Sequence, residues 1–168
     1  LYVLTDPRPF AHLVYSVRVA EDHDDAHNIM AEPWIDLREI GVVESDLPFE
    51  LSGTRPDDAT VRAFKMIEPE YLEMEVSTSE PALLTLPVAN YPGWRATVNG
   101  TDVDIVDTYA GLIGIPIQAG EGQKVTLQFL PTSVIAGGIV SGIALVLAIG
   151  ALVSLTLINR REHRRAGT

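Results

Sequence analysis

Leu72-Glu73-Met74-Glu75-Val76-Ser77 alternates an apolar with a polar residue at every step, and Val125-Thr126-Leu127-Gln128-Phe129-Leu130 does the same until its last residue. Successive side chains of an extended chain point to opposite faces, so each segment reads as a strand with one face on a core and the other in water. Outward from these two, Val61 to Ile67 alternates less strictly. Leu13–Ala20, Ile40–Glu44, Ala82–Val88, Arg95–Val98, Val103–Val106 and Leu112–Ile117 are further strands bounded by Pro, Gly, Asn or Asp. Asn99-Gly100 lies between two of them and supplies the positive φ angles of a two-residue type I′ hairpin. Ala119-Gly120-Glu121-Gly122 makes a similar reversal before the last strand. Many short strands at this spacing predict a mainly β fold, an antiparallel β-sandwich with no parallel α/β sheet.

One short helix is expected from Asp24 to about Met30, with Asp22 or Asp24 as its cap, acids in the first turn and Pro33 beyond its end. Ser52-Gly53-Thr54-Arg55-Pro56-Asp57-Asp58 reads as an exposed loop. From Val134 to Ile158 the sequence runs for 25 residues without a charge. As a helix rising about 1.5 Å per residue this run would be roughly 37 Å long, enough to cross a hydrocarbon core of about 30 Å. Buried helices of soluble proteins seldom run so long without a charge, so a single C-terminal transmembrane helix is expected. The organisation is then an extracytoplasmic sandwich over 1–131, a span over 132–159 and a basic tail over 160–168.

The net charge of −11 averages these regions. Before Pro131 there are 8 Lys and Arg against 22 Asp and Glu, whereas Arg160, Arg161, Arg164 and Arg165 face a single Glu in the tail. An acidic head repels a phosphate backbone, so nucleic acid is excluded as a partner. Arginines that follow a span place the tail in the cytoplasm and the head outside, with the four side chains resting on anionic headgroups of the lipid bilayer. With no cysteine, disulfides, thiolate nucleophiles, zinc–thiolate sites and iron–sulfur clusters are all excluded. The chain opens Leu1-Tyr2-Val3-Leu4 without Met or a signal peptide, so it reads as part of a longer protein.

Asn90-Tyr91-Pro92-Gly93-Trp94-Arg95-Ala96-Thr97-Val98-Asn99-Gly100 resembles the C-terminal region of the bacterial YfhO family of multi-spanning membrane proteins, which carries a Tyr-Pro-Gly-Trp-x-Ala-x-Val-Asp-Gly run. Gly114-Ile115-Pro116-Ile117, Ala119-Gly120-Glu121-Gly122 and Phe129-Leu130-Pro131 follow in the family's order and spacing. Asn99 stands where Asp is usual, Gly122 where His is common and Phe129 where Tyr is usual. The resemblance covers about half the chain, from Leu83 to the end of the apolar run. It implies a bacterial cell-membrane protein similar to GT-C glycosyltransferases, which move a sugar from a polyprenyl-phosphate carrier to a cell-envelope glycan acceptor. The catalytic acid of such enzymes is expected near the first membrane helices, so no catalytic residue is assigned here and no cofactor belongs to this segment. The resemblance also implies an upstream transmembrane bundle in the same chain as a partner.

Tyr91-Pro92-Gly93-Trp94 has two readings. Pro and Gly in the middle make a type II turn and start a strand with the Trp94 ring on the core. Alternatively, Tyr91 and Trp94 form a platform on which a sugar ring stacks. Turn chemistry explains all four residues, so the structural role is the expected one. Glu21-Asp22-His23-Asp24-Asp25-Ala26-His27 has metal-like composition, but acids at a helix start are stabilising against the macrodipole, and a helix beginning inside the cluster leaves His23 off its face. No metal ligand is assigned. Asn99-Gly100-Thr101 is a formal glycosylation sequon already accounted for by the hairpin, and Leu130-Pro131-Thr132-Ser133-Val134 departs from a sortase signal at its last two places. Gly138 and Gly142 form a Gly-x-x-x-Gly pair that would let the span pack against other helices. The class opposed to a transferase segment is a single-pass anchored binding module without enzymatic activity.

Overall fold

The alternating segments Leu72–Ser77 and Val125–Leu130 and the more uniformly apolar Ala82–Val88 and Leu112–Ile117 go to different sheets. The computed structural model describes residues 9–68, 70–131 and 136–150. The chain runs β1 (His12–Val14), β2 (Ser16–Val19), α1 (His23–Met30), β3 (Ile40–Val43), β4 (Thr60–Glu68), β5 (Tyr71–Thr78) and β6 (Ala82–Ala89), then β7 (Trp94–Val98), β8 (Thr101–Val103), β9 (Val106–Thr108), β10 (Leu112–Ile117) and β11 (Gly120–Phe129). Six strands form one sheet in the order β1-β6-β10-β9-β3-β2, and five form a second in the order β4-β5-β11-β7-β8. Residues up to Phe129 form one compact unit, and the unit from Leu130 onward includes a helix, α2, over 136–150.

The expected β-sandwich is present as two sheets, with one correction. β2 and β3 pair in parallel, with Ser16 opposite Ile40 and Val19 opposite Val43. The cause is α1, which connects them as a crossover and returns the chain in the same direction, something no hairpin can do. Two expected strands also break. Leu13–Ala20 divides at Tyr15 into β1 and β2. Val103–Val106 divides because Val103 ends β8 in the five-stranded sheet while Val106 begins β9 in the six-stranded one. The helix starts at His23, one residue before the expected start, with Asp22 as its cap: the Asp22 carboxylate accepts from Asp25 N–H at 2.9 Å. The Asp25 carboxylate in turn accepts from Glu21 N–H at 3.0 Å, so the acids close the helix start on themselves.

Burial explains the two sequence patterns. β5 and β11 bury Leu72, Met74, Val76, Val125 and Leu127 and leave the intervening residues at a wet outer face. There Glu73 meets Lys124 Nζ at 2.9 Å. That hydrogen bond holds the Glu73 carboxyl below its ordinary range and the Lys124 ammonium above its own. β6 and β10 are instead buried on both faces. Leu84, Leu86, Ile113, Ile115 and Ile117 pack between the sheets, while Leu83 joins Val14, Val43 and Val106 in a second cluster flanked by Leu47 and Leu51.

That second cluster requires the six-stranded sheet to curl. β1 and β2 are its two edges, yet only Tyr15 separates them in sequence. Two Cα steps from Val14 to Ser16 span at most about 7 Å, whereas six strands laid flat would hold their edges roughly 24 Å apart. The edges therefore come round toward each other, and Val14 of β1 meets residues of β3 inside the curl. Glycines make room there: a Cβ at Gly41 would lie 3.1 Å from Val14 Cγ2.

The seam at Tyr15 is fastened by hydrogen bonds. Its carbonyl accepts from Gly53 N–H at 2.8 Å, and its buried hydroxyl lies 2.9 Å from Thr78 Oγ1. Burial pushes the Tyr15 phenol above its ordinary value, with the Thr78 hydrogen bond partly opposing. A raised folded-state pKa means that Tyr15's contribution is intact below the unfolded value of about 10 and is lost as pH rises through the folded value. Tyr15→Phe is expected to lower stability at neutral pH by about 1 kcal/mol and to flatten the alkaline decline. Urea midpoints at neutral and alkaline pH that fall in parallel for both proteins would contradict this account.

Candidate functional site

The chain changes sheets twice in one neighbourhood, from β6 to β7 through residues 90–93 and from β8 to β9 through Asp104 and Ile105. Between the crossings lies a cleft of about 530 Å³ whose walls carry Tyr91, Trp94, Arg95, Asp102, Asp104 and Asp107. Asn90 ties the crossings together, its amide Nδ2 donating to Asp107 Oδ1 at 2.9 Å and its backbone N–H to Gly111 O at 2.8 Å.

The aromatic wall is built by the turn. Gly93 has φ 122°, a conformation open to glycine, and Trp94 N–H closes on Tyr91 O at 3.3 Å, the pattern of a four-residue reversal with Pro at its second place. Trp94 is half-buried against the sandwich core, with its ring centroid 5.1 Å from that of Phe129. Tyr91 is 66% exposed and Trp94 is anchored, so the two rings lining the cleft have different duties. On the far side Asn99 and Gly100 take φ 52° and 80°, as the hairpin reading requires. Lys124 N–H donates to Asn99 Oδ1 at 2.9 Å, which locks the β7–β8 hairpin onto β11.

Chemically the cleft offers acceptors and one flat exposed ring. Asp102 and Asp104 are exposed and Asp107 is half-buried, with the Arg95 guanidinium beside them. Carboxylates accept hydrogen bonds from hydroxyl groups and repel phosphates. The sequence reading found Tyr91 and Trp94 but not Asn90, Arg95 or the three aspartates. Their signal was present in the Asp102-x-Asp104 spacing that follows the hairpin, but only the second crossing brings them to the turn.

The other expected sites lie elsewhere. His23 is the first residue of α1, on the helix and not off it. Its ring stands edge-on to His27 at 4.8 Å, and its Nδ1 lies 3.2 Å from Glu44 Oε1. Among the described residues no group of three or more His, Asp or Glu is placed to hold a metal ion. Gly138 and Gly142 lie on α2, and within 4 Å of a Cβ at either position there is open space. No helix among the described residues is long and apolar enough to cross a membrane. The expected span over 132–159 lies partly outside those residues, and Arg160, Arg161, Arg164 and Arg165 lie wholly outside them.

Residues 60–141 match the family model described as bacterial membrane protein YfhO. No curated protein and no solved structure matches the chain.

Proposed function

The chain carries a YfhO-family membrane-protein region over residues 60–141, and from that premise we propose that it is the extracytoplasmic accessory domain and last membrane anchor of a multi-spanning sugar transferase. In this reading the enzyme takes its sugar from a polyprenyl-phosphate carrier, the catalytic part lies elsewhere in the protein, and the cleft beside Tyr91 shapes the site for a glycan acceptor of the cell envelope. The observation that carries the reading is that every residue lining the cleft falls inside the family region. A hydroxyl-rich acceptor suits three carboxylates, an arginine and an exposed ring. The phosphate of the donor does not suit three carboxylates, so the donor is assigned to the rest of the protein.

The anchor is the uncharged run Val134–Ile158, whose described part exposes Ile139, Val140, Ile143, Leu145, Val146, Leu147 and Ile149. Apolar side chains in that number need a lipid or protein cover. The arginines after the run put the tail in the cytoplasm and the cleft outside.

Tyr91→Ala should leave the fold intact, because the side chain is mostly exposed. In the full protein, reconstituted with a polyprenyl-phosphate sugar and an envelope acceptor, it is expected to raise the acceptor KM about tenfold, the equivalent of about 1.4 kcal/mol of stacking. The donor KM should not change. An unchanged acceptor KM would remove the cleft from the reading. Acceptor binding without any transfer by the full protein would support the anchored binding module instead.

A further inference from the structure

We propose that the end of the five-stranded sheet at which β11 stops is a lipid-contacting rim, with Met66 and Ile67 at the tip of the β4–β5 hairpin entering the bilayer interface. This rests on the reading of Val134–Ile158 as a membrane span.

The register brings the rim together. Phe129, the last residue of β11, lies opposite Trp94, the first residue of β7, and Gln128 lies opposite Tyr71. Phe129 N–H donates to Glu70 O at 2.8 Å, and Tyr71 pairs with Glu68 across the hairpin. One end of the sheet thus presents the Tyr91–Trp94 turn, the end of β11 and, at Glu68 and Tyr71, the turn end of the β4–β5 hairpin side by side.

Next to that turn β4 is irregular. The register shifts between Met66 and Glu68, which leaves Ile67 without a cross-strand partner in the ladder. Met66 is 53% and Ile67 59% exposed. Two successive large apolar residues at an exposed edge are unusual, since edge strands ordinarily carry charge there to discourage pairing.

The occupant is identified by chain length. The uncharged run starts at Val134, five residues after Phe129. Five extended residues reach about 17 Å at most, and each interfacial layer of a bilayer is about 6 Å deep. On that reading the tether keeps this end of the sheet within about 17 Å of the hydrocarbon boundary, close enough for the hairpin tip to reach the headgroup level. Tyr71, Tyr91 and Trp94 are of the residue types that concentrate at that level, because each joins an apolar body to a polar tip. Glu68 and Glu70 at the same tip limit the insertion to a shallow one and predict that it needs no anionic lipid.

The test uses single spin labels in the full protein, freed of any cysteine outside this cysteine-free segment, in nanodiscs of zwitterionic lipid. Labels are placed through Ile67→Cys at the rim, Ser79→Cys at the opposite end of β5 and Val146→Cys in the apolar run. At position 67 the ratio of oxygen to nickel-chelate collision rates is expected to exceed that at 79 several-fold, and to lie below that at 146. Equal ratios at 67 and 79, with a lipid value at 146, would overturn the rim and leave the anchor standing. A label at 67 shielded from both reagents would overturn it in favour of a protein cover. A water value at 146 would overturn the anchor reading, and the rim with it.

Discussion

Gly114→Ala should be a severely damaging single methyl for the described fold. A Cβ at this position would collide with Thr108 Cγ2 and lie 2.9 Å from Val106 Cγ2 and 3.2 Å from Leu83 Cδ1. Thr108 and Leu83 are buried on neighbouring strands, and Thr108 is further held by its hydroxyl bond to Leu112 O at 3.2 Å. None of these atoms is the free end of an exposed chain, so strands must shift. Overpacking of this kind costs about 3 kcal/mol, a large part of the roughly 5–15 kcal/mol that holds a domain together. Urea unfolding of the solubilised protein, followed by tryptophan fluorescence, is the measurement. Adding Thr108→Ser removes the nearest methyl while keeping the hydroxyl, and should recover part of the loss. If Gly114→Ala alone leaves the midpoint unmoved, the curl of the six-stranded sheet is looser than described.

Leu127→Ala comes next, for the opposite reason. Leu127 is fully buried in the middle of β11, with Leu72 on one side and Ala96 on the other. Its removal leaves a hole between the sheets and is expected to cost about 2–5 kcal/mol. Its chain neighbour Thr126 points the other way, to the outer face, where its Oγ1 lies 2.7 Å from Thr97 Oγ1. Thr126→Ala should cost about 1 kcal/mol or less. The contrast between adjacent residues tests the face assignment: similar losses at both would mean that β11 is not half-buried.

Much of this was legible before the structure. Period two marked β5 and β11 because only one of their faces is buried, and Asn99-Gly100 marked its hairpin because the required φ angles are costly for most other pairs. The largely apolar β6 and β10 are visible in the sequence as strands, but their second buried face is not. Nothing local tells Leu83 that Val14 and Val43 will meet it across a curled sheet. The parallel pair escaped for a similar reason: α1 looked like an isolated short helix, and its role as a crossover depends on where β3 docks. At the cleft, the Tyr91 turn is a local motif and could be read. Asp104 and Asp107 are contributed by the second sheet crossing, which splits what had read as one strand.

The strand order of the five-stranded sheet has a consequence for biosynthesis. β11 is its middle strand and the last one the ribosome makes. Until it emerges, the β4–β5 hairpin and the β7–β8 hairpin have no common partner, and Leu72, Met74, Val76 and Ala96 wait without the strand that will join them. Chains lengthen at about 5–20 residues per second, so the interval between β5 and β11 is one of seconds with apolar surface uncovered. The head therefore acquires its final cooperativity in a single late step, just as the uncharged run that follows β11 is being synthesised.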